Sequence, residues 1–186
     1  MKYFPSAYYT LFEPQRELLE SQSSLDLPNV RRVYVGVGPE SGRRQFTDHE
    51  RADSYSFAWS AEEAASAGKQ QVELDIVSLD DYLGELEGTP PPDIVKIDAE
   101  GWDLEVIRGA DVTAATCEVF LLEAGVMNKR FRNTAHKVID AMAARGFILF
   151  DITDLNRTAR DGALWNVELA FVKRGGALDR SVDSYG

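Results

Sequence analysis

The stretch PPPDIVKIDAEGWDLEVIRGA, residues 90–110, carries the clearest strand-to-helix pattern of the chain. Three prolines lead into a short apolar strand pattern at residues 94–98, since proline favours extended backbone at the start of a strand. The pattern ends at Asp98 and Glu100, Gly101 follows, and a helix is predicted over residues 102–109. Two readings stay open. The acids stabilise the start of the helix, or they form the floor of an active site.

Strand and helix patterns alternate on both sides of this stretch. Strands are predicted at residues 8–12, 30–37, 72–77, 94–98, 117–123, 147–152 and 167–172, with a hairpin strand at 44–47. Helices are predicted at residues 14–22, 60–68, 78–88, 102–109 and 133–145. This alternation predicts one α/β domain over residues 1–174, with a mostly parallel sheet and helices on both faces. Residues 175–186 are predicted to be a disordered tail.

The composition narrows the function classes. The chain has 186 residues, 44% of them hydrophobic, and a net charge of −11, so nucleic acid is not an expected partner. Cys117, the only cysteine, is expected in the core, and no intramolecular disulfide can form. The sequence has no membrane-span pattern and no signal-peptide pattern. We therefore expect a cytoplasmic protein without a membrane partner.

Three strand patterns end on an acid: Glu13 after TLF, Asp98 after IVKI and Glu123 after VFLL. The carboxyl ends of parallel strands meet at one edge of a sheet, where ligands of α/β proteins bind. A carboxylate there can accept hydrogen bonds from ribose hydroxyls, orient an acceptor hydroxyl or take its proton. The alternative is that each acid faces the next helix start.

Other candidates are weaker. In VGVGPESG, residues 35–42, the third glycine of a dinucleotide loop would fall at Ser41, and no helix pattern follows, so we reject that loop. His49 lies in a polar loop that could reach a substrate, and it is far in sequence from His136, which is expected to be exposed. No metal site is predicted, although Asp98 and Glu100 could hold Mg²⁺ if further oxygen ligands joined them.

The order of motifs resembles one known family. TLFEP, VRRVYVGVGPESGRRQF, VELDIVSLDDYL, PPDIVKIDAEGWDLEVIRGA, VFLLEAG and LWNVELAFVKR follow one another as in the FkbM family of S-adenosylmethionine-dependent methyltransferases. The resemblance covers roughly residues 8–174. It implies a Rossmann-like methyltransferase fold with strand order 3-2-1-4-5-7-6, and methyl transfer from S-adenosylmethionine to a hydroxyl of a sugar or secondary metabolite.

The resemblance also implies residue roles. Glu13 would bind the cofactor ribose, and Val37 and Gly38 would lie near the adenine. Asp98 and Glu100 would line the methyl-transfer site, Asp98 contacting the methionine part of the cofactor or the acceptor. Glu123 would lie at the rim of the substrate site. His49 is a substrate-binding candidate from its polar loop alone, not from the resemblance.

The chain departs from the family pattern at its beginning. The family has a strand, a glycine-rich loop and a helix before its counterpart of FEP, a unit of roughly 30 to 40 residues. Here twelve residues precede Glu13, and none is glycine. We therefore expect an N-terminally truncated fold. Three explanations of the missing first strand stay open. The start of the gene is wrongly assigned or truncated, the strands at residues 8–12 and 94–98 pair directly, or a homo-oligomer supplies the missing strand. A catalytically silent remnant or interaction module is the alternative function.

Overall fold

The computed structural model of the chain describes residues 4–21, 28–48, 55–56, 60–127 and 133–182. A small parallel sheet begins it, in which strand β1 (Tyr9–Phe12) pairs with β2 (Val30–Val33). Helix α1 (Arg16–Ser21) lies between them in the chain. The Phe12 ring packs edge-on against Tyr82 of helix α3 (Leu79–Gly84), with 4.8 Å between the ring centres. This contact holds the small sheet against the rest of the protein.

The second sheet has the order β3-β6-β4-β5. Its strands are β3 (Gly36–Gly38), β4 (Gly42–Asp48), β5 (Tyr55–Ser56) and β6 (Gln71–Ser78). Helix α2 (Ala61–Ser66) precedes β6 and begins with the predicted capping box. The Glu63 amide donates to Ser60 Oγ at 3.2 Å, and the Ser60 amide donates to Glu63 Oε2 at 2.7 Å.

The third sheet has the order β7-β8-β10-β9 and carries the core. Its strands are β7 (Ile94–Ile97), β8 (Val119–Gly125), β9 (Phe147–Arg157) and β10 (Leu164–Lys173). Helices α4 (Asp103–Arg108) and α5 (Asp111–Thr116) connect β7 to β8, α6 (Ala135–Ala144) connects β8 to β9, and α7 (Ala177–Ser181) follows β10. One face of this sheet packs on α4 and α6 through a buried cluster that includes Phe120, Leu122, Phe171, Ile107 and Met142.

Gly109 fixes the position of α4 beside β3. A Cβ atom at Gly109 would lie 2.2 Å from the carbonyl oxygen of Gly38, so only glycine permits this approach. The helix that follows the opening sequence stretch therefore ends against the second sheet. Asp80 of α3 completes the junction, because its amide donates to the Gly109 carbonyl at 3.0 Å.

The α/β class is confirmed, but the prediction of a mostly parallel sheet is wrong. Only β1–β2, β3–β6 and β7–β8 run parallel among the described residues, whereas β4 and β10 lie antiparallel to their partners. The reason for β9–β10 is the short connection, in which the Thr158 amide donates to the Ala163 carbonyl at 2.9 Å. Such a turn joins antiparallel strands only.

The predicted single strand at residues 30–37 is also wrong, because the chain bends at Val35 and enters another sheet. At Gly36, where β3 begins, a Cβ would lie 2.6 Å from Ile76 Cδ1 of β6, so a larger residue there would require this side chain to shift. The short helix α5 was not predicted. Nor is β7 covered on both faces, because Ile94 is 49% exposed and Lys96 is exposed with it.

The predicted disordered tail from Gly175 is corrected as far as residue 182, where α7 packs on β10. Glu118 anchors this helix, because its carboxylate accepts a hydrogen bond from the Leu178 amide at 2.9 Å. Direct pairing of the strands at residues 8–12 and 94–98 is likewise not found. Within the described ranges, β1 pairs with β2 and β7 pairs with β8, in separate sheets.

Candidate active site

The turn after β7 carries two of the predicted catalytic residues. Asp98 and Glu100 are both exposed, and Glu100 has a φ of 50°, followed by Gly101 at 91°. A left-handed conformation is rare for a non-glycine residue and costs roughly 1–2 kcal/mol. The Trp102 amide closes the turn by donating to the Ala99 carbonyl at 2.9 Å. The rest of the structure therefore holds the turn in a conformation that Glu100 alone would not favour.

Helix capping does not account for Asp98. The N-cap residue of α4 is Trp102, and no side-chain hydrogen bond caps this helix in the described part of the chain. The Asp98 side chain is 55% exposed, and its Oδ2 lies 3.8 Å from Lys96 Nζ. The structure therefore does not support the helix-capping reading of Asp98, whose carboxylate faces outward at the end of a strand.

Glu123 lies beside Asp98. Ile97 of β7 is paired with Leu122 of β8, so the next residue on each parallel strand is an acid at the same edge. Burial, together with the charges of Asp98 and Glu100, raises the pKa of Glu123 to about 6, although the hydrogen bond from Asn166 and the charge of Lys96 oppose the rise. Asn166 Nδ2 donates to Glu123 Oε1 at 3.0 Å. The result is an oriented carboxylate that titrates close to neutral pH.

Lys96 and Glu168 extend this group across the open face of the third sheet. Lys96 Nζ forms an ion pair with Glu168 Oε2, and Thr153 Oγ1 donates to the other oxygen of Glu168 at 2.7 Å. Burial lowers the pKa of Lys96, but the hydrogen bond and charge of Glu168, with Asp98 and Glu123, outweigh it and raise the pKa overall. The site is therefore a polar network with one fixed cation among carboxylates.

A buried pair lies behind the carboxylates. Asp103, the first residue of α4, and Asn133, which precedes the N-cap of α6, are both fully buried, and Asn133 Nδ2 donates to Asp103 Oδ2 at 2.9 Å. Burial raises the pKa of Asp103 to about 8, and the charges of Glu123 and Asp98 raise it too, against the backbone amides of Asp103 and Ala99. At neutral pH, Asp103 is mainly a neutral carboxylic acid.

Glu13 lies at the end of β1, as predicted, and is half-buried. Its Oε1 accepts a hydrogen bond from the Gln15 amide at 2.8 Å, directly before α1. Burial raises the pKa of Glu13 although this hydrogen bond lowers it. The carboxylate thus faces the start of the next helix. One amide hydrogen bond does not offset the cost of burying its charge, so the carboxylate can accept further hydrogen bonds from the hydroxyls of a ligand.

Two of the other predicted residues lie in a different sheet, although one of them is close to the turn after β7. Val37 and Gly38 lie in β3 of the second sheet, where Val37 packs on the core and Gly38 is buried near Trp102, whose Nε1 would lie 3.3 Å from a Cβ there. Their proximity to adenine stays a prediction. His49 lies outside the described residues. His136 is exposed and Cys117 is buried, as predicted.

Sequence reasoning missed several members of the network: Lys96, Asp103, Asn133, Asn166 and Glu168. Two signals could have found three of them. Lys96 interrupts an apolar strand pattern, and Asn166 and Glu168 alternate with apolar residues in LWNVELAFVK, which places both on one face. Asp103 and Asn133 give no local signal, since a polar residue near a helix start is ordinary.

The described ranges contain neither a metal-binding cluster of side chains nor a membrane-spanning helix. No group of three or more His, Cys, Asp or Glu residues there is placed to hold a metal ion. No helix there is both long and apolar enough to cross a membrane.

An α/β domain with acids at the carboxyl ends of adjacent parallel strands falls in the class of α/β proteins that bind ligands at that edge. Residues 1–149 match the methyltransferase FkbM domain, and the chain belongs to this family. The resemblance seen in the sequence is thereby confirmed.

A solved structure shares the fold. Methyltransferase FkbM from Methylobacillus flagellatus KT superposes with a TM-score of 0.53 and 14% sequence identity, over 89% of this chain and 36% of that one. The chain thus spans about a third of the length of that protein. No curated protein matches.

Proposed function

We propose that the chain is an S-adenosylmethionine-dependent methyltransferase that methylates a hydroxyl oxygen of a sugar or secondary metabolite. The observation that carries the proposal is the side-by-side position of Asp98 and Glu123 at the ends of β7 and β8, in a chain of the FkbM methyltransferase family. An oxygen nucleophile needs a nearby base as it reacts, and a carboxylate with a pKa of about 6 suits that role at neutral pH.

The strand order supports a Rossmann-like arrangement. Counted as in the family, β1 and β2 are its second and third strands, and β7 to β10 are its fourth to seventh. The two sheets then have the orders 3-2 and 4-5-7-6. These are the family's orders on either side of its first strand, so Glu13 and Asp98 would border the position of that strand.

The residues present fit part of the cofactor. When bound, S-adenosylmethionine supplies an electrophilic methyl group on a sulfonium centre. Glu13 would hold the ribose hydroxyls, because its carboxylate is already fixed by Gln15 and is only partly compensated for its burial. Asp98 and Glu100 would line the position of the methionine part, and Val37 and Gly38 that of the adenine.

The chain's own residues would then act on the acceptor. Glu123, oriented by Asn166, takes the proton of the hydroxyl at its carboxylate, and Asp98 orients the same hydroxyl. Lys96 pairs with Glu168 and also lies 3.8 Å from Asp98 Oδ2, so Glu123 is the acid at this edge that accepts the proton. His49 is a further candidate for contact with the acceptor.

The test measures release of S-adenosylhomocysteine with a panel of polyhydroxyl acceptors. Glu123→Gln and Asp98→Asn, which keep size and remove charge, are each expected to lower kcat by about 100-fold or more, the usual contribution of a general base. Asp140→Asn, at an exposed position of α6, is the control and is expected to retain wild-type turnover. Full turnover by Asp98→Asn would rule out the role of Asp98.

One observation favours a second candidate function, an interaction module without catalysis. Within the described residues, β1 and β7 each have a strand on one side only, and such edges can pair with another chain. A homo-oligomer or partner protein would then be the ligand. Absence of any S-adenosylmethionine binding, together with a concentration-dependent change of mass in solution, would support this alternative over the enzyme.

A further inference from the structure

The Asp103–Asn133 pair is incompletely hydrogen-bonded, although both residues are fully buried. Asn133 Nδ2 meets Asp103 Oδ2, but Asp103 Oδ1 and Asn133 Oδ1 have no hydrogen-bond partner within the described residues. A buried polar atom without a partner costs about 1–3 kcal/mol. Apolar residues of similar size would avoid this cost, so stability alone does not account for the pair.

Asn133 connects the two elements that carry the candidate catalytic acids. The same Nδ2 that donates to Asp103 also donates to the Glu123 carbonyl at 3.0 Å, and the Gly125 amide donates to the Asn133 carbonyl at 2.9 Å. The Asn133 side chain is therefore hydrogen-bonded both to the backbone of β8 at Glu123 and to Asp103, the first residue of α4.

Asp103 connects to the other acids through the turn. It lies two residues after Gly101, and the hydrogen bond between Trp102 and Ala99 makes the turn and the helix start one unit. A displacement of Asp103 would thus move Asp98 and Glu100, whereas a displacement of Asn133 would move Glu123. The contact between the two fixes the separation of the carboxylates.

We propose that Asp103 and Asn133 are positioning residues, which set the place of Glu123 relative to Asp98 and Glu100 and keep a third negative charge away from them. The catalytic part of this inference rests on the proposed function. The structural part does not. The charged groups that face Asp103 are Glu123 of β8 and Asp98 after β7, and both disfavour its ionisation.

The first test uses the wild-type protein and needs no activity. A nuclear magnetic resonance titration follows the side-chain amide of Asn133 and the carboxyl of Glu123. The Asn133 amide is expected to shift with a midpoint near pH 8, where Asp103 ionises, and the Glu123 carboxyl near pH 6. The titration also follows the carboxyl of Asp103, and an Asn133 amide that shows no shift while Asp103 ionises would overturn the pairing.

The second test uses Asn133→Ala, with Gln45→Ala at an exposed position of β4 in the second sheet as the matched control. Without the hydrogen bonds of Asn133, water can reach Glu123, so the pKa of Glu123 is expected to fall by about half a pH unit or more toward the ordinary range. In the control it stays unchanged. A folded Asn133→Ala protein with an unchanged Glu123 titration would overturn the positioning role. The wild-type titration decides the matter if that variant does not fold.

A third variant separates position from charge. Asp103→Asn keeps an oxygen that accepts from Asn133, so the Glu123 titration is expected to remain, whereas the pH response of the Asn133 amide near pH 8 is expected to disappear. In Asn133→Ala, kcat is expected to fall about tenfold or more with KM little changed. If wild type shows the expected titrations without methyl transfer, the positioning inference stands and the proposed function fails.

Discussion

Asn166 is the residue through which the proton-accepting role of Glu123 is most easily tested. Its hydrogen bond lowers the pKa of Glu123 against the effect of burial. In Asn166→Ala the pKa rises, so the acidic limb of the rate–pH profile is expected to move to higher pH. Initial rates between about pH 5 and pH 8 measure this. Gln45→Ala, at an exposed position of β4 in the second sheet, is the control. A limb that stays in place or moves to lower pH would contradict the assignment.

Asp103 has a predictable effect on stability. Its folded-state pKa, about 8, lies above its ordinary value of 3.8, so the folded protein holds a proton that the unfolded chain releases. Stability from this group is highest below about pH 4 and is lost as pH rises toward 8, by at most about 1.4 kcal/mol per pH unit. Asp103→Asn is expected to remove this slope. Urea unfolding of both proteins at several pH values measures the slope of the unfolding free energy against pH. Equal slopes in wild type and Asp103→Asn would show that Asp103 is ionised throughout.

The sequence predicted the acids at strand ends but not the groups that tune them. Asp98 and Glu123 follow apolar strands, a local pattern, and parallel pairing brings such ends together. Asn133 and Asn166 reach the site from distant parts of the chain, and their role depends on tertiary contacts alone. The ordinary structural alternative was right in part for Glu13, whose carboxylate does meet the next helix start.

Helix α5 shows why one element escaped the sequence. Its N-cap position is Ala110, which cannot cap with a side chain. Asp80 of α3 does so instead. Its carboxylate accepts from the amides of Val112 and Thr113, each at 2.8 Å, and from Thr113 Oγ1 at 2.7 Å. A cap supplied from 32 positions away leaves no local signal.

Asp80→Ala is accordingly expected to destabilise the protein. The variant leaves the first amides of α5 without their acceptor, which costs about 1–2 kcal/mol for a lost N-cap. Urea denaturation monitored by circular dichroism measures the loss. Asp140→Ala, on the exposed side of α6, provides the comparison and is expected to unfold like wild type. Equal midpoints for the two variants would show that the Asp80 contacts do not stabilise α5.

For the molecule as a whole, the alternation of strands and helices predicted the fold class and the order of motifs predicted the family. Neither predicted that the described residues form three sheets. Periodicity identifies a strand without naming its partner, and strand direction depends on the connections. The bend at Val35 is set by the pairing of β3 with β6, which lies far away in sequence. The 11-residue length of β9 is set by its pairing with β10 across a short turn.

Binding of S-adenosylmethionine to the chain tests the central claim most directly. Calorimetric titration is expected to give micromolar affinity for wild type. Glu13→Gln, which keeps the acceptor for Gln15 but removes the charge, is expected to bind about tenfold more weakly or worse, since hydrogen bonds to charged groups contribute roughly 1.5–3 kcal/mol. Glu17→Gln, at an exposed position of α1, should bind like wild type. No heat from wild type at high protein concentration would contradict the methyltransferase account.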